Sequence, residues 1–274
     1  THVIVRWVLY NIFICRIVFR LDSFFIHYKN ANNTIDFLQV RVLIIHPNRL
    51  LLYTGCMIED KLILAPLAGY TDKAFRQICT SFGADITVTE MVSAEGLSRD
   101  SVKTEELLER FEGEDRLIVQ LFAPNEDPVR RCIKNLMKYN PTQIDINCGC
   151  PVPKVVKTGA GSALMLEPEK IKRICKVIKE ETNLPLSVKF RLGWDSNSIN
   201  YLEFADMAVE GGADALTLHA RTRAQGYAGV ADREAFRTLA QHMKGSGVKT
   251  YGSGDVFTAE DAIRMIEEYK MDGV

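Results

Sequence analysis

The chain has 274 residues, 47% of them hydrophobic, with 34 Lys and Arg against 35 Asp and Glu and a net charge of -1. That suffices for one large core or two small ones, and the near-neutral balance excludes a global attraction for nucleic acid, so any such contact must come from a local patch. Seven cysteines without repeated spacing argue against a disulfide framework and for a reducing, cytoplasmic setting; no second Cys or His pair accompanies Cys148 and Cys150, so no metal site is expected.

Residues 1–56 differ in composition from the rest. They hold no Glu, no Met, one Gly and one Pro, and carry +4, against -5 for the remainder. Arg6, Arg16 and Arg20 interrupt the opening apolar stretch, leaving no uncharged run longer than nine residues there, short of the ~20 a membrane-spanning helix needs. No small-residue cleavage site follows a single apolar core, as a signal peptide requires. The break leads to the expectation that 1–56 is an extension of doubtful nativeness and that the functional polypeptide starts at Met57.

From Met57 short apolar runs alternate with amphipathic patterns. Strands are expected at Leu62–Pro66, Ile86–Glu90, Leu117–Phe122, Gln143–Asn147, Leu186–Arg191, Ala215–Ala220 and Lys249–Ser253. Helices are expected between them at Thr71–Phe82, Ser101–Phe111, Pro128–Tyr139, Pro168–Thr182, Ile199–Gly211, Arg233–Met243 and Thr258–Tyr269. Thr71-Asp72 reads as a helix cap, Pro168 as a first-turn proline and Gly211-Gly212 as a stop. Such alternation calls for a parallel sheet. Seven βα units, with no G-x-G-x-x-G after the first strand, fit a (β/α)8 TIM barrel better than an open doubly wound sheet. Met271-Asp272-Gly273-Val274 looks like the start of an eighth strand, so the expected barrel is incomplete there, cut within its last unit.

In such barrels the catalytic groups lie at the carboxyl ends of the strands. That rule selects the stretch Ala65–Gly69, Glu90-Met91, Gln120, Asn147 with Cys150, Lys189 with Arg191, His219 with Arg221 and Arg223, and Ser253-Gly254-Asp255. Each has a structural alternative when taken singly: Lys189 pairing with a strand-end carboxylate, His219 as a core histidine, Gln120 bonding a loop. Their coincidence at one face points to an active site. In Gln143–Leu164 two cysteines flank Gly149 at the end of a strand, followed by Pro151, Lys154, Lys157 and several glycines; a thiol so placed is a candidate acid, nucleophile or ligand. Cys148 reads instead as a packing cysteine. The Gly-Ser-Gly-Asp run after the seventh strand suits a phosphate held by loop amides. Lys189 in the mouth suits an electron-rich ring gaining negative charge, such as a reduced flavin.

These residues resemble the dihydrouridine synthase family, flavoenzymes that reduce uridine in transfer RNA, and most nearly its bacterial B-type branch. The resemblance is carried by Ala65-Pro66-Leu67-Ala68-Gly69-Tyr70-Thr71-Asp72, Thr89-Glu90-Met91-Val92, Val119-Gln120-Leu121-Phe122 and Asp145-Ile146-Asn147-Cys148-Gly149-Cys150-Pro151. It continues through Gly161-Ser162-Ala163-Leu164, Lys189-Phe190-Arg191-Leu192-Gly193, His219-Ala220-Arg221-Thr222-Arg223 and Gly254-Asp255. It implies a catalytic domain at 57–274 holding FMN, with Pro66, Leu67 and Ala68 near the ring, Gln120 and Lys189 on its polar edge and His219 beside it. Ser253, Gly254 and Asp255 are implied around its phosphate. It further implies NADPH as reductant, hydride transfer to C6 of uracil, and Cys150 as proton donor to C5. Asn147 is implied to hold the uracil, and Lys154, Arg191, Arg221 and Arg223 are candidates for substrate or phosphate contacts, Arg191 having an internal ion pair as its alternative. The target base would have to leave its stack.

Two positions depart from the family pattern: Ser253 stands where Asn is usual, and Arg233 follows Ala231-Asp232 where Trp is common. The family's last-strand Gly-Arg pair and its carboxyl-terminal helical tRNA-binding domain are not in this sequence, so weak FMN and tRNA binding are expected. A monomer outside the membrane, binding tRNA and NAD(P)H, is expected. The competing readings are another FMN barrel acting on a free pyrimidine, like dihydroorotate dehydrogenase, and an inactive truncated barrel.

Overall fold

The computed structural model describes residues 61–274 and, before them, the backbone of four strands. β1 (Ser23–Lys29) pairs antiparallel with β2 (Ile35–Arg41), and β3 (Leu43–His46) antiparallel with β4 (Arg49–Leu51). The expected boundary at Met57 lies outside the described residues.

From residue 61 onward strands and helices alternate. The strands are β5 (Ile63–Leu64), β6 (Ile86–Val88), β7 (Val92–Ser93), β8 (Leu117–Phe122), β9 (Gln143–Cys148), β10 (Leu186–Arg191), β11 (Ala215–His219) and β12 (Lys249–Ser253). They are parallel, in the spatial order β5-β6-β8-β9-β10-β11-β12, with the two-residue β7 beside β8. The helices are α1 (Lys73–Ser81), α2 (Ala94–Ser98), α3 (Val102–Glu105), α4 (Glu126–Leu136), α5 (Pro153–Val156), α6 (Pro168–Glu181), α7 (Tyr201–Glu210), α8 (Arg233–His242) and α9 (Ala259–Glu267). This is the curled parallel sheet with interleaved helices of an incomplete (β/α)8 barrel. All seven expected strands form, the first shortened to two residues and the second to three.

Strand periodicity divides the molecule into two environments. Leu117, Val119 and Leu121, then Ile144, Ile146 and Cys148, then Leu186, Val188 and Phe190, then Leu216 and Leu218 form one fully buried cluster. Partners in that cluster are Val129, Cys132, Ile133 and Leu136 of α4, Ile171, Ile174, Cys175 and Ile178 of α6, and Phe204 and Ala208 of α7. The alternate residues, Gln120, Asp145, Asn147, Ser187, Lys189, Arg191 and His219, take the opposite face. The interior is therefore polar over β8 to β11, whereas Ile63, Ile86, Val88 and Ile118 make a small apolar cluster on the β5 and β6 side.

The eighth position is taken by Asp272–Val274. Gly273 pairs in parallel with Tyr251, Gly252 N–H donates to Gly273 O at 3.0 Å, and Asp272 N–H to Thr250 O at 2.8 Å. On the other side Val274 N–H donates to Lys61 O at 2.7 Å and Ile63 N–H to Val274 O at 2.8 Å. The ring is thus hydrogen-bonded around its amino-terminal end. A Cβ on Gly273 would lie 2.6 Å from Lys61 O and 2.9 Å from the Tyr251 ring, so only glycine passes between these neighbours.

The helices differ from expectation where elements are short. The single helix expected at Ser101–Phe111 is α3 plus a 3-10 turn at Glu106–Leu108, and α2 precedes it, capped by Ser93 Oγ accepting from Gly96 N–H at 3.1 Å. α4 starts at Glu126 rather than Pro128 because the Asn125 side chain caps Asp127 N–H at 3.1 Å, leaving the proline in the first turn. α1 has its cap where Thr71-Asp72 predicts it: Asp72 Oδ1 accepts from Phe75 N–H at 2.8 Å.

Candidate active site

At the carboxyl end of β9 the side chain of Asn147 turns back on the loop it precedes, its Oδ1 accepting from Gly149 N–H at 3.2 Å and Cys150 N–H at 2.9 Å. The loop is anchored a second time by Ser162, whose N–H and Oγ donate to Cys150 O at 3.1 and 3.0 Å. Gly161, at φ +61°, comes so near that a Cβ would meet Cys150 O at 2.8 Å; this position accepts no side chain. Cys150 is half-buried, whereas Cys79, Cys132, Cys148 and Cys175 are buried. Burial pushes the Cys150 thiol up, against weaker opposing effects of a Val152 backbone hydrogen bond and Arg191, so it is protonated at neutral pH. Cys148 faces the helices and burial pushes its thiol far up, consistent with packing.

Beneath this loop runs a polar chain. Asn147 Nδ2 donates to Gln120 Oε1 at 2.8 Å, and Gln120 Nε2 donates to Asp145 Oδ2 at 2.7 Å. Ser187 Oγ donates to Asp145 Oδ1 at 2.6 Å and accepts from Gln143 Nε2 at 2.8 Å. Burial raises the Asp145 carboxyl to about 6, against the two hydrogen bonds and the Lys189 charge. Burial lowers Lys189 to about 8, the Asp145 charge opposing this and Arg191 adding to it. Lys189 Nζ reaches Ser253 Oγ at 3.3 Å across the mouth.

The arginines at the strand ends are engaged with protein groups. Arg191 is buried and gives Nε to Gly149 O at 2.6 Å and Nη1 to Thr222 O at 3.0 Å and Gly226 O at 2.8 Å. It therefore ties the thiol loop to the loop after β11 and has no ion-pair partner among the described residues. Arg221 is paired with Asp255, Nη2 lying 2.7 and 2.8 Å from the two carboxylate oxygens, and donates also to Ala228 O and Gly229 O. Arg223 stacks on Trp194 at 4.4 Å from the ring centroid. Lys154 projects from α5, exposed. His219 is buried, and burial together with Lys189, Arg191 and Arg221 drives its imidazole down to about 2, so it is neutral. Its ring rests on Gly254: a Cβ there, at φ +108°, would lie 2.9 Å from the imidazole.

Across the mouth, Pro66, Leu67 and Ala68 form the turn after β5, with Tyr70 and Thr71 N–H both donating to Leu67 O at 3.0 Å and Gly69 N–H donating to Glu90. A fully buried ion pair braces it from behind. Arg76 Nε and Nη2 meet the Glu114 carboxylate at 2.7 and 3.0 Å, and Nη1 holds Thr71 O at 3.0 Å. Sequence reasoning missed this pair, and also Asp145 and Ser187; the available signal was an arginine on the apolar face of α1 and polar residues alternating inward on β9 and β10.

The structure thus defines a parallel α/β barrel whose mouth gathers a thiol, a lysine, a neutral histidine and a glycine-lined loop. Residues 63–274 match the family model described as Dihydrouridine synthase (Dus). Among relatives, the chain is 40% identical over 224 residues to a probable tRNA-dihydrouridine synthase of Treponema pallidum (strain Nichols), covering 79% of this chain and 66% of that protein. It is 31% identical over 217 residues to tRNA-dihydrouridine synthase B of Pasteurella multocida (strain Pm70), covering 79% and 64%. The chain belongs to the dihydrouridine synthase family. It spans less than two thirds of the length of these curated relatives. A mandelate oxidase crystallised with (S)-2-phenylpropionate shares the fold at TM-score 0.52 and 15% identity, over 78% of this chain and 63% of that one.

Proposed function

We propose that this protein reduces uridine in tRNA to 5,6-dihydrouridine, using FMN reduced by NADPH, with Cys150 as the proton donor. The observation that carries the reading is the Cys150 thiol itself, held at the strand ends by Asn147 and Ser162 and kept protonated by burial. The names of the relatives support the substrate class.

The residues present fit a flavin mononucleotide. Beyond Ser253, the Gly254 and Asp255 N–H groups have no acceptor among the described residues, a donor pair suited to a phosphate. Asp255 contributes through its backbone in this reading, since its carboxylate is committed to Arg221 and Ala231 N–H. Pro66, Leu67 and Ala68 with Gln120, Lys189 and His219 would line the ring. When bound, FMN supplies hydride, drawn from NADPH, to C6 of the uracil. Lys189 opposes negative charge gathering in the mouth, and His219, being neutral, adds no second cation. The Cys150 S–H bond breaks to place its proton on C5, and the thiolate left behind faces Arg191 and the Val152 backbone. Asn147, Lys154 and Arg223 are the candidates for base and tRNA contacts. Arg191 and Arg221, with their guanidinium groups held by carbonyls and Asp255, would act by shaping loops.

The test is the full chain's visible absorption spectrum, followed by its incubation with NADPH and unmodified tRNA. Bound flavin and dihydrouridine in the tRNA digest are expected. A chain that loads no flavin at saturating FMN would overturn the proposal.

A further inference from the structure

The chain beneath the thiol loop has a direction. Cys150 N–H donates to the Asn147 oxygen, the Asn147 amide nitrogen to the Gln120 oxygen, and the Gln120 amide nitrogen to Asp145. From the opposite side Gln143 donates to Ser187 and Ser187 to Asp145. Both arms end on one carboxylate. A side-chain amide carries a donor at one end and an acceptor at the other, so Gln120 and Asn147 alone can bond equally well in either sense. An ionised carboxylate only accepts. Whatever sits against Asp145 must present its N–H, which forces Gln120 to turn its oxygen to Asn147 and Asn147 to turn its oxygen to the loop. Reversed, Asn147 would set N–H against the N–H groups of Gly149 and Cys150, leaving donors unpaired in a site where Gln120 is 1% and Asp145 4% exposed.

We infer that Asp145 is a positioning residue: its carboxylate fixes the direction of the Gln120–Asn147 chain and thereby aims the Cys150 thiol. This deepens the function proposed above and rests on it for the use of the thiol. The geometry gives Asp145 no contact with the mouth; it acts through two intervening side chains.

The experiment measures labelling of Cys150 by iodoacetamide in the full chain, followed by peptide mass spectrometry, without flavin, NADPH or tRNA. Asp145→Asn keeps the shape but lets position 145 donate, so the chain can reverse and the loop is released; labelling should quicken about tenfold, the effect of one lost buried hydrogen bond. Adding Gln120→Glu moves the carboxylate one step along the chain. It can accept from both Asn147 and the new amide at 145, so labelling should return to within about twofold of the native rate. Ser187→Ala removes a bond to the same carboxylate without touching the direction of the Gln120 arm and should leave labelling unchanged. The inference is overturned if Asp145→Asn labels at the native rate, if the double variant labels as fast as the single, or if Ser187→Ala is equally fast. Amide exchange of the native chain decides the matter should the variants not fold: Gly149 and Cys150 N–H must be protected, and exchange at free-peptide rates overturns the inference. Failure here leaves the flavin spectrum and tRNA assay untouched, so the two proposals fail separately.

Discussion

In the proposed reaction the thiol has to hold its proton until substrate arrives, and burial raises Cys150 so that it does. Cys150→Ala is therefore expected to leave flavin reduction by NADPH intact and to slow uridine reduction by at least about a hundredfold. Stopped-flow spectra of each half-reaction check this, and equal slowing of both would remove Cys150 from the role. His219 gives a second residue-scale test. With its pKa driven down to about 2 by burial and three cations, its ring-proton NMR shifts should stay flat from about pH 5 to 8. The unfolded imidazole takes up a proton below about 6.5 and the folded one does not, so this residue lowers stability as pH falls below that value. A midpoint near neutrality in the folded protein would contradict the placement.

At the scale of elements, three arginines do work that their charge alone does not announce. Arg191 joins the loops after β9 and β11 through carbonyls, Arg221 with Asp255 joins the loops after β11 and β12, and Arg76 with Glu114 braces the turn after β5. Arg76→Ala leaves a buried carboxylate without its partner and is expected to cost about 3–5 kcal/mol, read from urea unfolding; a loss under about 1 kcal/mol would show the pair to be dispensable. The longer strands were legible because periodicity states them over several residues. Helices α2 and α5 were not, being five and four residues long; one turn is too short for a period, and caps define it instead. Lys189, His219 and Cys150 were legible as strand-end groups, whereas the commitment of Arg191 to carbonyls was not, because its partners come from loops that the sheet register brings together.

Over the whole molecule, the polar interior makes stability depend on pH. Asp145 is raised from 3.8 to about 6, so folding favours its protonated form. The stability it contributes is present below about pH 4 and is lost as pH rises through 6, a change of roughly 3 kcal/mol. Lys189, lowered to about 8, acts in the opposite sense, stability rising as pH climbs from there toward its ordinary value. Asp145→Asn should flatten the acid-side slope of denaturation midpoint against pH, and an unchanged slope would assign that slope to other groups. The pairing of Asp272–Val274 with both Tyr251 and Lys61–Ile63 has a kinetic consequence. Joining Val274 to Lys61 and Ile63 closes the ring between segments from opposite ends of the barrel, the backbone pairing of greatest sequence separation among the described residues and the one whose loop-closure entropy is met last. Gln120, Asp145 and Lys189 lie on three consecutive strands, Cys150 in the loop after the second of them, and their site forms through nearer contacts. Pulse-labelled amide exchange should therefore find β8 to β10 protected early in refolding while the N–H groups of Ile63 and Val274 are still open, so that the thiol's cradle takes shape before the barrel shuts.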